Sequence, residues 1–313
     1  MTEIDTDPTQ TGAEATAAKP APGALRHIEP TSFKRVLCAV DGTRSSMAGV
    51  RLAASLAGRS GRLTLLAVTA AGGEPPHEVA AISPARAEQV LVDARHIAEA
   101  AGVPCTPILD PDGPPVEVIL QRSAEHDLLV LGAPISSWLG GMLIAAISAS
   151  SGGVLPGGVT VAALARFSTP TLIARDSSPG SLHGGQILVA SDGEDDSDHV
   201  VALAAGIGLA QGARVRIVSA LEGESHGSPR HLQTQAAALA RVLPESGEPC
   251  IEPGAAWDVI LGAAERESAD MLVMGSRRLE GLRALGSVSR RAAHDAPCSV
   301  LLVPPEGAGA EPA

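Results

Sequence analysis

Apolar and polar positions along this chain fall into blocks, and the blocks come twice. Val36–Val40 and Ile187–Ala190 are short apolar runs, each ended by Asp-Gly, the pattern of a strand buried on both faces. Ser46–Ala57 and Ser197–Ala210 follow with apolar residues at helical spacing. The runs "RLTLLAV" and "RVRIVSA" predict second strands, with helices after them around Ala85–Ala101 and Leu232–Leu243. Third strands hold Cys105 and Cys250. Short helices then lead into fourth strands, Leu128–Leu131 and Met271–Met274, and Thr171–Ala174 and Val300–Val303 close the series. Regular strand–helix alternation predicts an α/β fold with parallel, doubly wound sheets.

Laid over one another at an offset of 151 residues, the openings of the two halves match Asp41 with Asp192, Gly42 with Gly193, Ser46 with Ser197 and Gly61 with Gly212. Further on, "HDLLVLGA" answers "ADMLVMGS", ending at Gly132 and Gly275. Matches that keep their order mark an internal duplication. The chain therefore divides into a leader (1–31), a first repeat (32–176), a linker (177–185), a second repeat (186–305) and a tail (306–313). The leader and tail read as disordered from their Ala, Pro, Thr and Glu content.

Composition narrows the function. A net charge of −12 opposes binding to a polyanion, and with no Tyr, two Phe and two Trp there is little to stack bases on. Nucleic acid is excluded as a partner. The four cysteines show no C-x-x-C spacing, which suits free thiols in a reducing cytoplasm. The first residues lack a basic and then apolar signal region. Nine histidines form no pair at metal-ligand spacing. His226 and His231 read as solvated loop residues, and His294 as the end of a helix.

Two stretches are distinctive: a strand running into Val-Asp-Gly-Thr with Ser46 close behind, and "DMLVMGSRRLEGLRALGSVSRRAAHDAPCSVLLV" from Asp270 to Val303. Together they resemble the universal stress protein family in its tandem, two-repeat form, over residues 33–305. The resemblance implies two five-stranded, parallel, Rossmann-like units of the adenine nucleotide α-hydrolase-like class, paired through their fifth strands as an intrachain pseudo-dimer. Thr171–Ala174 should then run antiparallel to Val300–Val303, which also covers two apolar edges. Some members of such a family bind ATP and others do not. By the resemblance, Asp41 and Asp192 face adenosine, and Val68 and Ser219 at the ends of the second strands contact adenine. Gly132, Gly275 and Gly286, with Ser287, Val288 and Ser289, hold phosphates, and Mg enters only as the nucleotide's own ion.

The residues themselves leave the glycine loop open to two readings. In open α/β sheets, ligands settle beyond the carboxyl ends of the strands, glycine lets backbone approach a phosphate, and a following helix start offers free N–H groups. The same loop is also what the fold needs to turn a strand into a helix. The family's phosphate pattern is G-x2-G-x9-G-[S/T]; here Arg278 stands at the second glycine and seven residues separate it from Gly286. Carboxylates at Glu194, Asp195, Asp196 and Asp198 oppose a triphosphate, whereas Arg277 and Arg278 offset its charge. The first repeat keeps "DGTRSS" but carries an apolar insertion at about 138–156.

From Leu128 to Ala165 the chain has no charged residue, but glycines and prolines interrupt it too often for a membrane span. The insertion reads instead as a flap or as a surface for a homo-oligomer or protein partner, anchored by Trp138 and Met142. No nucleophile–base pair is identifiable, so no catalytic residue is assigned. The expected protein is a cytoplasmic stress-response module, not an enzyme, biased by ATP or another adenine nucleotide. Two alternatives stand beside it: a weak nucleotide hydrolase with Asp192 orienting water and Ser287 holding phosphate, and a structural, partner-docking pseudo-dimer.

Overall fold

A computed structural model describes residues 23–69, 82–111, 114–133, 167–177, 179–221, 229–276 and 288–306. The first repeat supplies β1 (Arg35–Ala39), α1 (Arg44–Ala57), β2 (Arg62–Val68), α2 (Pro84–Ala100), β3 (Cys105–Asp110), α3 (Pro115–Ser123), β4 (Leu128–Gly132) and β5 (Thr171–Ala174). The second supplies β6 (Gln186–Ala190), α4 (Asp198–Gln211), β7 (Arg214–Leu221), α5 (Pro229–Val242), β8 (Cys250–Pro253), α6 (Ala256–Arg266), β9 (Met271–Gly275), α7 (Val288–Asp295) and β10 (Ser299–Val303).

The strands form one sheet of ten, in the order β3-β2-β1-β4-β5-β10-β9-β6-β7-β8. Every pairing is parallel except β5 with β10, where Ile173 lies opposite Val300 and Leu172 opposite Leu301. The two five-stranded units expected from the sequence are thus present, and the antiparallel seam fuses them into a continuous sheet. Its strand order reads the same from either end. Both seam strands are buried along their whole length, so leaving either as an edge would expose backbone and apolar side chains together.

Side chains alternate between two cores, as a pleated strand requires. Val36, Cys38, Leu63 and Leu65 join the helices α1, α2, α4 and α5 on one face. Leu37, Leu66 and Leu129 face the other, with Ile119 of α3, Trp257 of α6 and Ala292 of α7. Helices on both faces explain why the strands are continuous apolar runs. No described helix is long and apolar enough to cross a membrane. The insertion at 138–156 lies outside the described residues.

Residues 23–31, assigned from composition to the disordered leader, are ordered. They run over the second repeat: Leu25 is 9% exposed within the first core, and Arg241 Nη2 of α5 donates to its carbonyl at 3.1 Å. The Thr31 amide donates to the Gly206 carbonyl of α4 at 2.8 Å. A reciprocal crossing occurs in the linker. Ser181 lies 3.2 Å from Ser55 of α1, and Ser55 in turn exchanges hydrogen bonds of 2.7 and 2.9 Å with Gln211 of α4. Each segment leading into a repeat therefore lies on the first helix of the other. Composition missed this because only a few apolar side chains anchor the segment, while backbone hydrogen bonds supply the rest.

Candidate functional site

The pairing of β1 with β2 and β4 places Val68 and Gly132 at the strand ends flanking Asp41. Likewise β6 lies between β7 and β9, bringing Ser219 and Gly275 beside Asp192. Each trio sits where strand order reverses, the usual ligand position of an open α/β sheet. Val288 and Ser289 open α7 and are partly exposed. Gly286 and Ser287 lie outside the described residues.

Among the described residues, side chains of the first cleft hydrogen-bond to one another across the strand ends. Asp41 Oδ1 accepts from the Thr43 amide at 2.9 Å and from its hydroxyl at 2.6 Å. Thr43 caps α1 by accepting from the Ser46 amide at 3.2 Å. Its hydroxyl lies 3.3 Å from Ser45 Oγ, and Ser45 donates across the cleft to the Ala133 carbonyl at 3.1 Å. This chain of polar groups links the exit of β1 to the exit of β4. Gly132 is consumed by the same approach, because a Cβ there would stand 2.8 Å from the Ser46 nitrogen and 3.0 Å from Ser45 Oγ. Its lack of a side chain is explained by helix packing alone.

The second cleft differs at equivalent positions. Gly275 is exposed, and among the described residues a Cβ there would meet only Val200 Cγ2, at 3.5 Å. Asp192 Oδ1 accepts from the Glu194 amide at 3.2 Å. Where the first repeat has buried Val40 and Val90, the second has Ser191 and Gln235, and these build a polar network. Ser191 Oγ donates to Gln235 Oε1 at 2.7 Å and lies 2.9 Å from Ser197 Oγ. Gln235 Nε2 donates to Ser197 Oγ at 3.0 Å and to Asp198 Oδ1 at 2.8 Å. His231 Nε2 meets the same Asp198 oxygen at 2.8 Å.

His231 was expected in a solvated loop; it lies in α5, half-buried against Asp198. The helix begins at Pro229, whose fixed φ and missing N–H suit the first helical position. Position-by-position alignment of the repeats carries the signal for this network, since polar residues replace valines at core positions. The electrostatics also invert between the clefts. Thr43, Arg44, Ser45 and Met47 correspond to Glu194, Asp195, Asp196 and Asp198, so the start of α4 is strongly acidic.

Candidate nucleophiles are quiet. All four cysteines are free. Burial pushes Cys298 up to about 11 and Cys38 further still, which holds both as thiols. Among the described residues no hydroxyl or thiol is bonded to His231, and no cluster of three or more His, Cys, Asp or Glu side chains could hold a metal ion.

The comparisons with known proteins agree with this architecture. The model of the universal stress protein family matches residues 32–175 and again 185–304. A universal stress protein from the QAH/OAS sulfhydrylase 3′ region of Thermus aquaticus is 35% identical over 132 residues, covering 37% of this chain and 96% of the relative. Among solved structures, a universal stress protein from Archaeoglobus fulgidus superposes with a TM-score of 0.68 at 21% identity, covering 89% of this chain and 98% of that one. A functionally unknown protein from Pseudomonas aeruginosa PAO1 has a TM-score of 0.59 at 18% identity, covering 89% and 95%. With two matched repeats joined by an antiparallel seam, the chain belongs to the universal stress protein family in its tandem form.

Proposed function

We propose that the chain is a stress-response binding and signalling module whose second repeat takes an adenine nucleotide across the ends of β6, β7 and β9. The first repeat serves as its structural partner. The observation that carries this reading is the contrast between Gly132, filled by contact with α1, and Gly275, which is exposed and has only Val200 near its Cβ position among the described residues. A glycine with open space at a strand end admits a phosphate close to backbone. Ser289, partly exposed at the start of α7, supplies a polar group beside that opening, while Ser219 lies buried in β7 near its end. Glu194, Asp195 and Asp196 crowd the start of α4 and are exposed. A triphosphate meets less repulsion there as its magnesium complex, so Mg-ATP is the expected form.

This is a binding protein rather than an enzyme. That part of the reading is supported by the raised thiols and by the engagement of Ser191 and Ser197 in internal hydrogen bonds. A reducing cytoplasm as its location is supported by the four free cysteines.

Calorimetric titration of the full-length chain with Mg-ATP tests the reading, together with mass-spectrometric identification of any nucleotide released when the purified protein is denatured. Gly275→Val and Asp192→Ala should each weaken binding by on the order of tenfold, the effect of losing about 1.4 kcal/mol of contact. No released nucleotide, and no heat up to millimolar Mg-ATP, would sink it.

A further inference from the structure

Arg175 follows β5 and belongs to the first repeat, but its guanidinium serves the second. Nη2 donates to the Ala293 carbonyl at 2.8 Å and to the Ala292 carbonyl at 3.3 Å. Both carbonyls belong to the last turn of α7, where the dipole favours a cation; the Ala292 carbonyl also accepts from the Ala296 amide at 3.1 Å. The Arg175 amide is fixed separately, donating to Ser299 Oγ of β10 at 3.0 Å. The arrangement is costly in itself: Nε is buried without a partner, and burial works against the charge. What the guanidinium offers that an apolar side chain of the same length does not is the pair of hydrogen bonds to α7.

The arrangement is also one-sided. Ala174 pairs with Gly132 and Val303 pairs with Gly275, so the residue equivalent to Arg175 is Pro304. Proline has neither a cation nor a backbone N–H to give. The first repeat clamps a helix of the second, and among the described residues Pro304 returns no such contact. Helix α7 needs the help, being only eight residues long, too short to be stable through its own hydrogen bonds. Its flank is held by Arg291, whose guanidinium lies 5.4 Å from the centre of the Trp257 ring of α6. Held at its flank and its C-terminal end, a helix of two turns presents its first turn in one place.

We propose that Arg175 is a positioning residue: reaching across the β5–β10 seam, it fixes the C-terminal end of α7 and thereby sets Val288 and Ser289 for the nucleotide of the second repeat. This rests on the nucleotide reading above, and it adds that the second cleft is competent only when the first repeat is docked. Binding in one repeat is then conditional on the seam, which makes the tandem arrangement a functional requirement.

The test uses the full-length chain with Arg175→Met, which fills similar space without a donor, and Arg175→Lys, which keeps a cationic donor. Amide hydrogen exchange over 288–295 and affinity for Mg-ATP are read together with the thermal midpoint. In Arg175→Met, α7 amides should exchange about tenfold faster and Mg-ATP should bind about tenfold more weakly, with exchange in α1 and α4 unchanged. Arg175→Lys should recover at least half of each loss on a logarithmic scale. If the Met variant does not fold, Arg175→Gln takes its place. Unchanged α7 exchange, unchanged affinity despite faster exchange, or no recovery with Lys would each overturn the proposal. If the wild type binds no Mg-ATP, the nucleotide reading fails and the positioning role with it, whereas the exchange data still decide whether Arg175 clamps α7.

Discussion

Thr31 leads into the first repeat and Gly206 belongs to the second, yet the Thr31 amide donates to the Gly206 carbonyl at 2.8 Å. A Cβ on Gly206 would fall 2.2 Å from the Thr31 hydroxyl and 2.7 Å from the Glu29 carbonyl. Glycine in the middle of α4 costs about 1 kcal/mol of helix propensity relative to alanine. The close passage of the segment leading into the first repeat accounts for its presence.

Gly206→Ala therefore pits two effects of opposite sign against each other. Propensity alone predicts stabilisation of about 1 kcal/mol, and overpacking predicts a loss of about 1–3 kcal/mol. Because one of the clashing atoms is backbone, overpacking should win and the thermal midpoint should fall. Thr31→Ala in the same background should restore part of the loss, since it removes the hydroxyl clash and leaves the Glu29 carbonyl and the Cβ of residue 31. A Gly206→Ala protein more stable than the wild type would show that the segment moves aside freely.

The polar network under the second cleft makes a second prediction. Gln235 is fully buried and bonded to Ser191, Ser197 and Asp198. Gln235→Leu leaves those groups short of partners at a cost of about 2–3 kcal/mol. Ser191→Val combined with Gln235→Val copies the apolar pair Val40 and Val90, and should recover at least half of that cost. Urea unfolding of the three proteins decides it. A Leu variant as stable as the wild type would mean that the network contributes nothing.

His294 gives a pH dependence. Burial holds its imidazole below the usual value of about 6.5; Asp295 pulls the other way, while Arg290 and Arg175 add to the depression. The unfolded chain therefore binds the proton more tightly than the folded one. The contribution to stability is whole above the unfolded value of about 6.5 and is lost as pH falls through the lower folded value. Urea midpoints measured between about pH 7 and 5 should slope downward on acidification, and His294→Gln should flatten that slope. An equal slope in the variant would assign the acid sensitivity to other groups.

Much of this was legible in the chain. The apolar runs located the strands because helices cover both faces of the sheet, and the Asp41/Asp192 register located both clefts. The pairing of Thr171–Ala174 with Val300–Val303 followed from the family resemblance, and two apolar edges in need of cover agreed with it. What escaped were relations between residues far apart in sequence that leave no local pattern. Arg175 reads as an ordinary charged residue after a strand, and its value lies in carbonyls more than a hundred positions away. Residues 25–31 look like leader because their contacts are largely made by backbone. The hydrogen bond from Ser45 to the Ala133 carbonyl was hidden in "DGTRSS", which reads equally well as a ligand motif.

The β5–β10 seam also sets an order of assembly during synthesis. Thr171–Ala174 leaves the ribosome well over a hundred residues ahead of Ser299–Val303, its antiparallel partner. For that interval the first repeat can complete its own five strands but ends in an apolar strand with one side unpaired. Nascent chains are vulnerable to such edges, because a neighbouring polypeptide offers the same hydrogen bonds. Strand β10, made long after β5, is thus the one that covers that edge. A ribosome stalled inside the second repeat would hold a half-protein primed to pair with another copy of itself.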